Sequence, residues 1–213
     1  MKEKPLLLII GNSNVGKSAI TKLLLPQPSK YKGKSGKKPG STLLIKQITQ
    51  HNLSYKIVDL PGFGYMDRSS KRREEHIKKQ IINYIENHYF EYFLALVIIN
   101  IIRIEDELKK YFIENRNTIP LSFELLKFLR EFKIPILLIF NKIDKISNRE
   151  KTQIISFFIE SAKQYGIEIV YLDEFIKDQN EQIIPYLDFS AIRKINLGKL
   201  NHFISSILSQ RLS

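Results

Sequence analysis

The chain has 213 residues, of which 43% are apolar and 26% charged, a length that suits one domain around one substantial core. It contains no cysteine, which excludes disulfides, zinc-thiolate sites and cysteine nucleophiles, and its apolar runs are shorter than the roughly 20 residues needed to cross a bilayer. Lys and Arg number 34 against 22 Asp and Glu, a net charge of +12, which fits a polyanionic partner and equally fits a lysine-rich solvated surface.

In chain order, the first expected strand is "PLLLII" at 5–10. It starts too early to leave room for a charged region, an apolar segment and a cleavage site, so a cytoplasmic protein is expected. A helix follows at 16–24, then strands at 43–49 and 53–59, close enough to form a hairpin. The helix expected at 70–88 puts Ile77, Ile81, Ile85 and His88 on one face. A buried strand at 93–101 precedes a helix at 122–132 starting at Ser122, and another strand covers 134–140. "SNRE" at 147–150 is a capping box opening the next helix, with Gly166 as its stop. The last strand is expected at 184–189, and Leu197, Leu200, Ile204 and Ile207 line the final helix. Alternating strands and helices predict a three-layer α/β fold whose six-stranded sheet is mostly parallel with one antiparallel strand. The stretches 103–120 and 167–182 are too long for simple turns and predict local helix, strand or a surface embellishment.

The chemistry lies in the connections. "GNSNVGKS" at 11–18 matches the phosphate-binding pattern G-x-x-x-x-G-K-[ST], between a strand and a helix as that chemistry requires. Gly11, Asn14, Val15, Gly16 and Ala19 supply a backbone that wraps a phosphate chain at a helix N-terminus. Lys17 reaches the β- and γ-phosphates and Ser18 holds Mg²⁺. "DLPGFG" at 59–64 offers Asp59 to orient Mg²⁺ through water and the Gly62 N–H to sense the γ-phosphate. In "KKPGST" at 37–42, Thr42 is the candidate second hydroxyl on the metal, with Ser41 adjacent. "NKID" at 141–144 selects guanine: the Asp144 carboxylate accepts from N1–H and the 2-amino group, while Asn141 and the Lys142 stem brace the loop. "FSA" at 189–191 places Ser190 and the Ala191 N–H where the latter meets guanine O6.

This ordered set is the motif series of the translation-factor-like GTPases. "GNSNVGKS" with "PGST" and "DLPGFGY" resembles the EngB (YihA) family, in the branch that includes TrmE, Era, EngA and septins. The resemblance covers nearly the whole chain and implies a Ras-like fold in one GTPase domain over 1–213, with a role in assembling the large ribosomal subunit. Two departures stand out. Where that family places an aspartate and an arginine after its fourth strand this chain has "NIIRIED", and 103–120 is longer than expected.

In related potassium-stimulated GTPases an asparagine at the place of Asn14 helps to hold K⁺ against the phosphates, so the resemblance gives Asn14 that role; stabilising the loop turn is the alternative. Phe63 stands where Ras-type proteins keep a water-orienting glutamine, so hydrolysis needs help from elsewhere and slow basal turnover is expected. Lys17, Thr42, Gly62 and Asn14 are thus the candidate catalytic groups. "KYKGKSGKK" at 30–38 carries five lysines and no acid, which reads as an RNA-phosphate contact in a nucleotide-dependent loop or as a solubilising loop. His51, His76, His88 and His202 show no ligand spacing, and Phe157, Phe158 and Phe203 are expected in the core.

The reading is a GTPase that binds GTP and GDP with Mg²⁺ and acts on precursors of the large ribosomal subunit or their rRNA. It is expected to be monomeric, with no membrane and no DNA partner. Two alternatives stay open: a small GTPase acting on protein effectors, and a GTP-binding module with negligible turnover.

Overall fold

The computed structural model describes residues 3–31, 45–62, 71–109, 119–175 and 182–212. Its strands are β1 (Leu6–Ile10), β2 (Lys46–Ile48), β3 (Lys56–Asp59), β4 (Tyr92–Asn100), β5 (Ile136–Asn141), β6 (Glu168–Tyr171) and β7 (Ile183–Phe189). The helices are α1 (Lys17–Leu24), α2 (Lys71–His88), α3 (Ile104–Lys109), α4 (Leu121–Glu131), α5 (Asn148–Lys163) and α6 (Leu197–Leu212).

Among the described residues the strands form one sheet in the order β2-β3-β1-β4-β5-β7-β6. Only the β2–β3 hairpin is antiparallel; the other neighbours are parallel, as helical crossovers require. The sheet has seven strands where six were expected. The extra one, β6, lies in the 167–182 stretch and pairs with β7 from Glu168↔Ile183 to Tyr171↔Tyr186. It is a short edge strand with one buried residue, Ile169, so it lacks the continuous apolar run that marks the inner strands. Part of the other long stretch is α3.

Alternate residues of the strands enter two apolar layers. Leu6, Leu8 and Ile10 join Ile77, Ile81 and Ile85 of α2 with the buried faces of α3, α4 and α5. Leu7 and Ile9 join Ile20 and Leu24 of α1 with Leu200, Ile204 and Ile207 of α6. Every residue of β4 and β5 is buried, as expected for strands covered on both faces.

The ends of α5 agree with the sequence. Ser147 Oγ accepts from the Glu150 N–H at 3.2 Å, Glu150 Oε2 accepts from the Ser147 N–H at 2.8 Å, and Gly166 at φ 72° lets the Ile167 N–H reach back to the Ala162 carbonyl. Ser122 does not start α4: Pro120 precedes its first turn, and the buried Ser122 donates from N–H and hydroxyl to Glu107 of α3. Phe157 is 39% exposed beside the fully buried Phe158, because neighbours on a helix point about 100° apart.

Candidate functional site

The parallel strands β1, β3, β4, β5 and β7 bring their C-terminal ends to one edge of the sheet, the usual place for a ligand in an open α/β fold. β1 delivers the loop from Gly11 to Gly16. Asn14 turns it at φ 63°, in the left-handed region that asparagine tolerates. Gly16 closes it at φ 106°, and its carbonyl accepts from the N–H groups of Ala19 and Ile20, both at 3.0 Å, starting α1.

Lys17 folds back into this loop, donating to the Gly11 carbonyl at 2.9 Å and the Asn12 carbonyl at 2.8 Å. Burial lowers its pKa to about 8, and the nearby Asp59 carboxylate works in the opposite direction. A triphosphate would replace two neutral carbonyl partners with anionic ones. Gly62 lies close to this group: a Cβ there would sit 2.8 Å from Lys17 Nζ and 2.8 Å from Ser13 Oγ. The approach of the 59–62 segment to the phosphate loop therefore depends on a missing side chain.

Asp59, fully buried at the end of β3, accepts a hydrogen bond on Oδ2 from the Tyr31 hydroxyl. Among the described residues its Oδ1 is a buried oxygen without a hydrogen-bond partner. Burial raises the Asp59 pKa, while Tyr31, Lys17 and Lys46 oppose the shift. A buried carboxylate with an oxygen to spare, sharing Tyr31 as a neighbour with Ser18, is a donor set that fits the hydrated, oxygen-seeking Mg²⁺ ion.

The other half of the cleft comes from β5 and β7. Asn141 Nδ2 donates to the Val15 carbonyl at 2.8 Å, and its Oδ1 accepts from the Ala191 N–H at 3.1 Å. Lys142, at φ 74°, sends Nζ to the Asn14 carbonyl at 2.6 Å. Ser190, fully buried, donates from Oγ to Asp144 Oδ1 at 2.6 Å and accepts from the Arg193 N–H at 3.1 Å. The loop from Gly11 to Gly16, "NKID" and "SA" are therefore joined in one cleft.

The profile of the 50S ribosome-binding GTPase family matches residues 7–142. A probable GTP-binding protein EngB of Pyrococcus horikoshii is 35% identical over 205 residues, covering 96% of this chain and 84% of that protein. This chain belongs to the EngB family of GTPases. The Methanococcus maripaludis EngB relative is also 35% identical, over 149 residues, and there the match spans 61% of the relative's length. A crystal structure of a probable GTP-binding protein EngB superposes with a TM-score of 0.74 at 31% identity, covering 96% of this chain and 99% of that one.

Of the EngB motif residues named from the sequence, Gly11, Asn14, Val15, Gly16, Lys17, Ser18, Ala19, Asp59, Gly62, Asn141, Lys142, Asp144, Ser190 and Ala191 lie along this cleft. Thr42, Phe63 and the lysines at 32, 34, 37 and 38 lie outside the described residues; Lys30 is exposed. In "NIIRIED", Asn100 Oδ1 accepts from the Ile102 N–H at 3.3 Å and turns the chain toward α3. Two features escaped the sequence reading. One is Tyr31. The other is a polar brace beneath the Ser190 loop, where Asp188 pairs with Lys151 at 2.6 Å and Asn196 Nδ2 donates to the Asp188 carbonyl at 2.7 Å. None of these residues sits at a motif spacing, and no local signal marks them.

Proposed function

We propose that this EngB-family protein hydrolyses GTP to GDP and phosphate and works as a switch in assembly of the large ribosomal subunit. The supporting observation for the chemistry is the pair of bonds from Asn141 to Val15 and from Lys142 to Asn14, which join a triphosphate cradle to a guanine-reading loop. Asp144, held by Ser190, accepts from N1–H and the 2-amino group of the base. The Ala191 N–H is shared between Asn141 Oδ1 and O6 of the base.

Lys17 follows the phosphate charge as it moves toward the β–γ bridge, and the Gly62 N–H meets the γ-phosphate. Ser18 and Asp59, with Thr42, would hold Mg²⁺, which when bound would supply neutralising charge for the phosphate oxygens. Attack is by water, with no protein base among the motif residues and Phe63 in the usual glutamine position. Asn14 offers a place for K⁺, so phosphate release should run faster in potassium than in sodium at matched ionic strength. Equal rates in the two salts would remove that role.

The assignment to the ribosome is supported by the family's description, the net charge of +12 and the lysines from Lys30 to Lys38. It is tested by co-sedimentation with large-subunit particles across a salt series, in GDP and in a non-hydrolysable GTP analogue. Binding should favour the GTP form and weaken by roughly one unit of log-log slope per phosphate contacted. Replacing Lys30, Lys32, Lys34, Lys37 and Lys38 by Gln should lower both affinity and slope. Failure of the wild type to sediment at low salt would end the ribosomal reading.

A further inference from the structure

Tyr31 belongs to none of the nucleotide motifs, yet its side chain is buried against the phosphate-loop helix, in the apolar layer that holds Ile20, Leu24 and Leu25. That packing fixes the ring and with it the hydroxyl. The hydroxyl donates to Asp59 Oδ2 and also interacts with the side chains of Ser18 and Thr21. It therefore bonds to Asp59 and lies near Ser18, the two described residues that the cleft offers to Mg²⁺. The two oxygens of Asp59 are treated differently: Oδ2 is taken by Tyr31, while Oδ1 is buried and has no partner among the described residues.

A carboxylate with both oxygens free can rotate and must be ordered when the ion arrives. One donor anchored in the core removes that freedom beforehand, and ordering done before binding strengthens binding. From this geometry we infer that Tyr31 is a positioning residue for the magnesium site: its hydroxyl holds one oxygen of Asp59 so that the other faces the hydrated ion. The inference rests on the GTPase reading. It also ties the ion to the root of the chain segment that leads to Thr42, since Tyr31 can hold Asp59 only while its ring stays in the core.

The test uses the full chain and Tyr31→Phe, which keeps the ring and removes only the donor. Binding of a fluorescent GDP is measured in EDTA and then across a Mg²⁺ titration. Expected are equal affinities in EDTA and a Mg²⁺ midpoint raised about tenfold in the variant, the effect of losing one hydrogen bond to a charged group. Electron paramagnetic resonance of Mn²⁺ in the GDP complex gives a second readout, with broader lines in the variant as the site loses order. An unchanged midpoint with unchanged Mn²⁺ lines would overturn the role. So would a lowered midpoint, which would make Tyr31 a competitor of the ion. Equal losses in EDTA and in Mg²⁺ would reduce Tyr31 to packing and overturn it as well. If the wild type bound no guanine nucleotide in either condition, the GTPase reading would fall and the magnesium role with it.

Discussion

Asn141, the last residue of β5, donates to the carbonyl of Val15 across 126 residues of sequence at 2.8 Å. Its oxygen accepts from the Ala191 N–H, so one side-chain amide holds three loops in register. Asn141→Ala would leave the Val15 carbonyl and the Ala191 N–H without their partner, at about 1 to 3 kcal/mol for each group that stays buried and unpaired. Urea unfolding should show a loss of about 2 to 4 kcal/mol, together with weaker nucleotide binding. Gly16→Ala attacks the same contact from the other side. Its Cβ would stand 2.2 Å from Asn141 Nδ2, at a φ of 106° that L side chains rarely adopt, so it should destabilise the loop at least as much. A stability change below about 0.5 kcal/mol in both variants would show that the contact is dispensable.

The proposed function gives base choice to Asp144, whose Oδ1 is held by the Ser190 hydroxyl at 2.6 Å. In Asp144→Asn the carboxylate that accepts from guanine becomes an amide, and GTP affinity should drop by about 2 to 3 kcal/mol, as for other hydrogen bonds to charged groups. Xanthosine triphosphate, whose edge is reversed at that position, should gain. Calorimetry with both nucleotides checks the exchange, and GTP affinity equal to that of the parent would refute the assignment.

Lys17 gives the pH dependence. Its pKa is lowered by burial to about 8 from an ordinary 10.5. Below about pH 8 the native and unfolded chains both carry the proton. Between that pH and 10.5 the native chain has released it while the unfolded chain keeps it, so this group's contribution to stability rises with pH through that window. Phosphates favour the charged form and draw the pKa back up, so nucleotide binding near pH ~9 should take up a proton and weaken as the pH climbs. Binding enthalpies measured in two buffers of different ionisation enthalpy would differ by that uptake. Identical enthalpies would mean that Lys17 is already charged in the empty cleft.

The parts of this site legible in the sequence are those whose role is local. Gly16, Lys17 and Ser18 act through a single turn, and "NKID" and "SA" each follow a strand, so spacing along the chain located them. Asn141 was legible as a brace of the guanine loop, but its grip on Val15 depends on β1 and β5 both flanking β4, which no spacing records. Tyr31 lay hidden for a similar reason: its partner Asp59 is 28 residues further on, at the end of β3, and nothing in "PSKY" sets that tyrosine apart from the rest. For 167–182 strand stayed one alternative beside helix and surface embellishment, because an edge strand needs apolar residues on one face only and the four residues of β6 give too short an alternation to decide.

The order of the strands sets a schedule for the protein's own synthesis. The phosphate loop leaves the ribosome early, but the contacts that close the base side come from Asn141 and from the Ser190–Ala191 turn beyond β7. Those lie 126 residues after Val15 and 50 residues after Asn141, respectively. A growing chain folds from its N-terminus as it emerges, so it displays a phosphate cradle long before it can retain a guanine nucleotide. On the proposed function, firm nucleotide retention marks a polypeptide that has been made through β7 and threaded into its sheet, and a prematurely terminated copy is left without it.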